Sequence, residues 1–279
     1  MSPFQIISSI LVLLVLILLV RYAWGIFFDK NYYPVEWEYQ RKKGLIAREL
    51  IRLERNYPDK VRFFNWWFQV ERLKRDRVPG DFAELGVYKG ESAKILHLMD
   101  PSRKFHLYDT FEGFKKEDLE HETGEAAAYT TRNFADTSLE AVKHYLGDSR
   151  QFIFHQGRFQ ELDSWQLDNW TNNSGSLSEK LPSSMIDQPD CPTVQLPTVQ
   201  LFCLVNLDAD LYNPTKAGLE YFYPRLSPGG VIIIHDYNYK WPGIKKAVDE
   251  FVQTIPEPLI MVPDMDGSVM VVKSVTLPV

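Results

Sequence analysis

Four side chains that could bind a metal ion or move a proton follow two strongly apolar segments of this chain. The first segment, Val-Asn-Leu-Asp-Ala-Asp, ends in Asp208 and Asp210, and the second, Val-Ile-Ile-Ile-His-Asp, ends in His235 and Asp236. Short runs of β-branched residues are typical of strands buried on both faces of a parallel sheet. Ligands of open α/β sheets bind beyond the carboxyl ends of the strands, so we expect these side chains to meet at one edge. Carboxylates and one imidazole can hold a divalent metal there, which indicates an enzyme.

The elements that must position these residues alternate along the chain between strand and helix patterns. Strands are predicted at residues 81–85, 105–108, 152–155, 201–207 and 231–235, and helices from residue 91 onwards and at 139–145, 215–225 and 243–253. Such alternation is typical of βαβ units. Two further strand patterns, 259–262 and 269–273, flank an Asp-Gly pair that suits a tight hairpin turn. The sequence therefore predicts an α/β fold with a mostly parallel seven-stranded sheet, helices on both faces and a C-terminal antiparallel hairpin.

Composition narrows the class of protein further. The 279 residues suffice for one large α/β domain with appendages. A formal net charge of −6 argues against a nucleic-acid partner, which would require a basic face. Cys191 and Cys203 are too few for a disulfide framework, and Cys203 lies in an apolar strand pattern where we expect it to be buried and unreactive.

The N-terminus has the composition of a membrane span. Residues 4–20 carry no charge, and aromatic residues follow at Tyr22, Trp24, Phe27 and Phe28 as in an interfacial belt. We predict a single-pass anchor over residues 1–28, in contact with the membrane through residues 4–28. Basic residues follow the span rather than precede it, which places the catalytic domain in the cytoplasm by the positive-inside rule. A cleaved signal peptide is the alternative, although it would require basic residues before the run and small residues after it.

Two domains are predicted after the anchor. Residues 29–78 form a helical cap, in which the aromatic residues of 60–75 are expected to pack on the core, with a substrate platform as the alternative. Residues 79–279 form the catalytic domain. Within it, residues 166–198 are polar and rich in Ser, Asn and Pro, which indicates an insertion loop beside the sheet edge.

A cofactor site is predicted where the first two strands end. Gly86 and Gly90 allow a tight turn and a close backbone approach to a ligand, just before a helix whose N-terminus offers free N–H groups. The second strand ends at Asp109, where doubly wound folds typically place the acid that binds ribose hydroxyls. The glycine turn and Asp109 together indicate a nucleotide-containing cofactor. The missing third glycine of G-x-G-x-x-G counts against a nicotinamide cofactor.

Four sequence blocks, in this order, resemble the macrocin O-methyltransferase (TylF/MycF-like) family. They are Glu-x-Gly-Val-x-x-Gly-x-Ser, Tyr-Asp-Thr-Phe-Glu-Gly-Phe, Leu-Asp-x-Asp-Leu-Tyr and Leu-Ser-Pro-Gly-Gly-Val-Ile-Ile-Ile-His-Asp-Tyr. The resemblance covers about residues 79–251 and leaves the N-terminal span outside. It implies a Rossmann-like class I fold that uses S-adenosylmethionine and a divalent metal to methylate a sugar hydroxyl.

The resemblance also implies the functions of individual residues. The residues matching the family's cofactor site are Glu84, Gly86, Gly90 and Ser92 in the first turn, Asp109, Thr110 and Phe111 beside the adenosine, and Gly157 and Phe159 near the adenine. Asp208 and Asp236 match metal-binding acids, and Asp210 and His235 are further candidates. The family commonly has a second Asp where this chain has His235, and imidazole suits Mn, Fe, Ni or Zn better than Mg. His235 would therefore either change the metal preference or support the ligands without binding the metal. We therefore expect Mg or Mn, with Asp208 or His235 as the catalytic base.

The function expected from the sequence is a membrane-anchored O-methyltransferase. Its acceptor would be a small molecule or a glycosyl or polyol-bearing compound, and the anchor favours a lipid-linked one. Two alternatives stay open: a non-catalytic, membrane-tethered scaffold with a methyltransferase-like domain, and a nicotinamide-dependent oxidoreductase. The aromatic helix over residues 60–75 also leaves open a homo-oligomer.

Overall fold

The structure is a computed structural model that describes residues 2–27, 33–120, 122–147, 149–162 and 200–275. It divides into two units, Met1–Ile46 and Ala47–Val279, which are considered separately. The predicted insertion loop at 166–198, Cys191 and Phe28 lie outside the described residues. The boundaries that the sequence predicts at residues 28 and 78 stay predictions.

The first unit contains one long apolar helix, α1 (Pro3–Phe27), and a short helix, α2 (Val35–Lys42). Side chains along α1 are exposed throughout the apolar run, with Leu11 at 59% and Leu18 at 64%. At a rise of ~1.5 Å per residue, the 22 residues from Pro3 to Trp24 match the thickness of a bilayer's hydrocarbon core. Helix α1 is therefore long and apolar enough to cross a membrane, and a signal sequence would have the same length and composition.

The second unit begins with two helices and continues as alternating strands and helices. The helices are α3 (Arg48–Asn56), α4 (Lys60–Arg75), α5 (Glu91–Met99), α6 (Lys116–Leu119), α7 (Leu139–Leu146), α8 (Tyr212–Arg225) and α9 (Pro242–Val252). The strands are β1 (Asp81–Leu85), β2 (Phe105–Asp109), β3 (Phe152–Gln156), β4 (Phe202–Leu207), β5 (Leu226–Ile234), β6 (Ile260–Met261) and β7 (Val269–Val272). Short 3-10 helices occur at Gly124–Ala128 and Phe159–Glu161.

The seven strands form one sheet in the order β3-β2-β1-β4-β5-β7-β6. Strands β1 to β5 pair in parallel, and β7 pairs antiparallel with both β5 and β6. These pairings confirm the predicted mostly parallel sheet with a C-terminal hairpin. The strand order reverses at β1, which lies between β2 and β4, and open α/β sheets bind ligands outside such a reversal.

The core explains why the apolar segments form strands. All six residues of β4 are buried, because α8 packs against β4 while α4 packs against α5 and β5. The aromatic residues Phe63, Trp66 and Trp67 of α4 are at most 3% exposed, so the prediction that this helix packs on the core is confirmed. Cys203 is also fully buried, and burial raises its thiol pKa to about 12, which keeps it protonated and unreactive.

Candidate cofactor and metal site

The turn after β1 brings the cofactor motif against the end of β4. Gly86 has a φ of +89°, and a Cβ there would overlap the backbone carbonyl oxygen of Asp208. Only glycine therefore permits the two strand ends to approach this closely. Gly90 has a φ of +82° and stands immediately before α5, so this left-handed turn also favours glycine.

The Asp109 carboxylate organises this turn through hydrogen bonds to the backbone. Its Oδ2 accepts from the N–H groups of Val87 at 2.8 Å and Tyr88 at 2.9 Å, and its Oδ1 accepts from Phe111 N–H at 2.6 Å. Asp109 also lines the cavity beyond the strand ends. The acid thus holds the β1 and β2 turns together, and this function is additional to the ribose contact that the resemblance implies.

One cavity collects most of the residues that the sequence singles out. Its lining includes Gly86, Asp109, Thr110, Gly157, Phe159, Asp208, Asp210 and Asp236. Five other predicted residues do not line it: Glu84, Gly90, Ser92, Phe111 and His235. The structure therefore brings the cofactor turn and the acids of β4 and β5 to one site.

Three carboxylates form a compact cluster at the acid side of this cavity. Asp208, Asp210 and Asp236 each offer an oxygen, and these oxygens lie within 4.8 Å of one another. Asp210 and Asp236 have left-handed backbones with φ of 59° and 60°, a conformation that is costly for residues other than glycine and that recurs at functional sites. Oxygen donors of this kind suit Mg²⁺ or Mn²⁺.

The electrostatics of the cluster favour a bound cation. Burial, followed by repulsion from Asp208, raises the pKa of Asp236 to about 7. Burial and the two neighbouring acids raise the pKa of Asp210 well above its usual range. A divalent ion would offset this repulsion and restore the charged form of the carboxylates. The donor set therefore fits a divalent metal.

His235 lies apart from the cluster, in the protein interior. It is 1% exposed, and its Nε2 and Nδ1 lie 2.6 Å from Asn206 Oδ1 and 3.0 Å from Ser268 Oγ. Burial lowers the pKa of its imidazole to about 3, so the ring is neutral. Because both ring nitrogens are engaged, this geometry does not support the metal-ligand and base functions expected from the sequence. The cluster consists of carboxylates alone, so the imidazole gives no preference for a softer metal.

Glu84 belongs to the same buried hydrogen-bond network rather than to the cavity. Its Oε1 accepts from Asn206 Nδ2 at 2.7 Å, and Asn206 Oδ1 in turn accepts from Trp66 Nε1 at 3.1 Å. Burial raises the pKa of Glu84 to about 8, and hydrogen bonds from Ser92 and Asn206 oppose the shift. The two motif residues Glu84 and Ser92 thus connect β1 to the first turn of α5 beneath the cofactor turn.

Glu84→Gln is expected to remove a pH dependence of stability. The pKa of Glu84 in the folded protein, about 8, exceeds its ordinary value of 4.5. The stabilisation that protonated Glu84 gives the folded state is therefore fully present below pH 4.5 and is lost as the pH rises through 8. The unfolding free energy of the wild type should therefore fall by on the order of 3–5 kcal/mol across this range, and the glutamine variant should show a flatter profile. Urea denaturation at pH 5, 7 and 9 measures both, and parallel profiles in the two proteins would contradict the assignment.

The cavity also contains residues that the sequence did not single out. Arg62, on α4, lines the cavity and pairs with Asp264 and Asp266, each at 3.1 Å. At the opposite end, Arg158 forms two hydrogen bonds of 2.8 Å to Asp118. Gln160 donates to the same carboxylate at 3.0 Å, and its Oε1 is buried with no partner among the described residues. Arg62 and Gln160 stand in no recognisable local motif, and Arg158 occupies the position between the predicted residues Gly157 and Phe159.

The protein has a Rossmann-like class I methyltransferase fold. The O-methyltransferase NovP superimposes with a TM-score of 0.56 at 24% identity, over 77% of this chain and 81% of that chain. The calicheamicin methyltransferase CalS11 superimposes with a TM-score of 0.51 at 20% identity, over 88% of this chain and 87% of that chain. Both similarities concern the fold.

The chain belongs to the macrocin O-methyltransferase family. The family model for "Macrocin-O-methyltransferase (TylF)" matches residues 190–270. A Streptomyces olivaceus enzyme, 8-demethyl-8-(2,3-dimethoxy-α-L-rhamnosyl)-tetracenomycin-C 4′-O-methyltransferase, is 30% identical over 69% of this chain and 66% of its own length. Mycinamicin III 3″-O-methyltransferase of Micromonospora griseorubida is 30% identical over 65% of this chain and 64% of its own length. The family expected from the sequence is confirmed. The chain spans slightly less than two thirds of the length of these two relatives.

Proposed function

We propose that this protein is an S-adenosylmethionine-dependent, divalent-metal-assisted O-methyltransferase that acts on a hydroxyl of a sugar or related polyol-bearing acceptor. One observation carries the proposal: the turn organised by Asp109 and the carboxylate cluster line the same cavity, with Gly86 directly against Asp208. A methyl donor and a hydroxyl bound at the acids would therefore be neighbours. The Streptomyces olivaceus relative, by its name, methylates a rhamnosyl compound.

The cofactor end of the cavity would hold S-adenosylmethionine, which supplies an activated methyl group. The Gly86 turn would permit close backbone approach, and Asp109, which lines the cavity, would bind the ribose hydroxyls. Thr110, Gly157 and Phe159 complete the wall on the adenosine side. The protein's contribution at this end is orientation, because holding two reactants in line replaces a bimolecular encounter.

The acid end of the cavity would hold Mg²⁺, or Mn²⁺, through Asp208, Asp210 and Asp236. Such an ion lowers the pKa of a hydroxyl, which is otherwise a poor nucleophile at neutral pH. A carboxylate of the cluster must then accept the hydroxyl proton. Asp208 is our candidate, and Asp210 is the alternative because burial and neighbouring acids raise its affinity for a proton.

Calorimetric titration of the full-length chain in detergent micelles with S-adenosylhomocysteine tests the function. We expect micromolar binding, followed by methylation of glycosyl acceptors that depends on Mg²⁺ or Mn²⁺ and stops with EDTA. A well-folded sample that does not bind the ligand would exclude the methyltransferase function and favour the scaffold alternative. Binding without metal-dependent turnover on any glycosyl acceptor would contradict the metal and acceptor assignments.

We also propose that α1 anchors the protein in a membrane, with the catalytic unit on the cytoplasmic side. The length of α1, its exposed apolar side chains and the basic residues that follow it support this proposal. A lipid-linked glycosyl acceptor would then lie close to the enzyme. In membranes from expressing cells, the chain should resist extraction by alkaline carbonate, and release into the supernatant would contradict a retained anchor.

A further inference from the structure

Gln160 has an unpaired hydrogen-bond acceptor at the end of the cavity opposite the carboxylate cluster. The residue lies in the short 3-10 helix that follows β3, and it lines the cavity. Its Nε2 donates to Asp118 Oδ1 at 3.0 Å, whereas its Oε1 is buried with no partner among the residues that the structure describes. Buried polar atoms are almost always hydrogen-bonded, because an unmade bond costs free energy. The unpaired oxygen therefore indicates a donor on a molecule that binds in this part of the cavity.

The direction of the Gln160 amide is fixed by its neighbours. Asp118 is buried, and Arg158 holds its carboxylate with two hydrogen bonds of 2.8 Å. A charged carboxylate can only accept hydrogen bonds, so the amide nitrogen must face Asp118 and the amide oxygen must point away from it. Exchange of the two amide atoms would set two acceptors against each other. The site therefore presents an oriented acceptor and selects a ligand that donates.

The order of the strands predicts which part of the cofactor reaches Gln160. Along the sheet edge, the acids of β4 and β5 are followed by the Gly86 turn after β1, by Asp109 at the end of β2 and by Gln160 after β3. Adjacent strands are about 4.8 Å apart, and Gly157 N–H donates to the carbonyl oxygen of Asp109 at 3.0 Å, which fixes the turn after β3 against β2. A cofactor with its methyl group near the acids and its ribose at Asp109 therefore has its base beside Gln160.

The cavity wall beside Gln160 suits a flat aromatic base. Phe159 meets Tyr108 edge-on with ring centroids 5.4 Å apart, and both rings line the cavity. Ligand pockets combine apolar walls with a few placed polar groups that fix orientation. Gln160 Oε1 would be such a polar group for the edge of the base.

We propose that Gln160 determines which base the cofactor carries, because its Oε1 accepts a hydrogen bond from the exocyclic amino group of adenine. A 6-oxopurine has an oxygen at that position, so two acceptors would face each other and the buried oxygen would stay unpaired. Sites that hydrogen bond to an N–H group reject analogues without it more strongly than apolar pockets reject a missing methylene group. Gln160 is thus a specificity-determining residue, and Asp118 and Arg158 are the residues that orient it. This inference rests on the proposed function, since it requires S-adenosylmethionine in the cavity.

Gln160→Met tests the inference, because methionine has a similar length and no amide. Gln156→Met is the matched control, since Gln156 ends β3 just before the same turn, is exposed and is not part of the cavity lining. The probes are S-adenosylhomocysteine and S-inosylhomocysteine, which differ only in the base, titrated calorimetrically into the full-length protein in detergent micelles. The wild type and Gln156→Met should bind S-adenosylhomocysteine about 20-fold or more tightly than S-inosylhomocysteine. In Gln160→Met and Gln160→Ala this preference should fall to about threefold or less, mainly through weaker binding of S-adenosylhomocysteine.

A preference in the two Gln160 variants that equals that of the wild type would overturn the inference. So would a wild-type protein that binds both compounds equally well, or a Gln156→Met protein that loses the preference as completely as Gln160→Met. Failure of the folded wild type to bind S-adenosylhomocysteine would instead reject the proposed function, so the two failures are distinguishable. Thermal unfolding midpoints close to that of the wild type confirm that the variants are folded, and Gln160→Ala decides the matter if Gln160→Met does not fold.

Discussion

Asp236→Ala is expected to lower metal-dependent methyl transfer by about 1000-fold or more, equivalent to about 4 kcal/mol of transition-state stabilisation. Asp236 supplies one of the three oxygens of the cluster from the end of β5. The backbone turn is held by hydrogen bonds to Asp109 rather than to Asp236. The affinity for S-adenosylhomocysteine should therefore stay within about threefold of the wild type. Initial rates measure methyl transfer, calorimetry measures the affinity for S-adenosylhomocysteine, and Mn²⁺ titration by electron paramagnetic resonance measures metal binding.

Two further variants separate the charge of Asp236 from its backbone. Asp236 has a φ of 60°, which alanine tolerates less well than aspartate or asparagine. Asparagine also tolerates this backbone conformation but carries no charge. Asp236→Asn should therefore lose activity almost as completely as Asp236→Ala. Glu220→Ala makes the same change of charge at an exposed position of α8 and should be fully active. Full activity in either Asp236 variant would remove this residue from the metal site.

Asp109→Ala is expected to weaken S-adenosylhomocysteine binding by about 100-fold or more, or about 2.7 kcal/mol. The carboxylate accepts three backbone hydrogen bonds, from Val87, Tyr88 and Phe111. Hydrogen bonds to a charged group contribute about 1.5–3 kcal/mol each. Loss of these bonds disorders the turn and removes the charge-assisted contact proposed for the ribose. Calorimetric titration measures the affinity, and thermal unfolding should show a lower midpoint.

Asp136→Ala is the matched control for Asp109. Asp136 contacts the same turn, but through the side chains of Tyr88 and Lys89 at 2.7 Å and 2.6 Å rather than through the backbone. Because its side chain is 66% exposed, this pairing contributes little, and the affinity should stay within about threefold. An Asp109→Ala protein that is folded and binds normally would show that the nucleotide is wrongly placed.

Much of the fold could be predicted because it depends on local patterns. The apolar runs ending in Leu207 and Ile234 form buried parallel strands as expected, since their periodicity and length reflect burial on both faces. The prediction of β5 was too short: the strand begins at Leu226, before the Pro-Gly-Gly that reads as a turn. The sheet tolerates this sequence because pairing with β4 shifts its register there.

The positions of individual side chains could be predicted less well. His235 and Asp236 are adjacent in the sequence, yet one is buried against Asn206 and the other joins the cluster. Both residues lie beyond the last residue of β5, Ile234, where strand alternation no longer applies, and the left-handed backbone at Asp236 turns the chain. Glu84 matches a cofactor motif but lies beneath the turn, because the motif does not show which of its residues face the ligand.

The sequence by itself determined the parallel sheet, the family and the acids at the ends of β4 and β5, because period, composition and short motifs are local properties. Only the tertiary structure decided that Arg62 lines the same cavity as those acids and that His235 does not join them. Arg62 comes from α4, far from Asp208 along the chain. Their proximity depends on how helices and loops pack across the sheet edge, which no local pattern encodes.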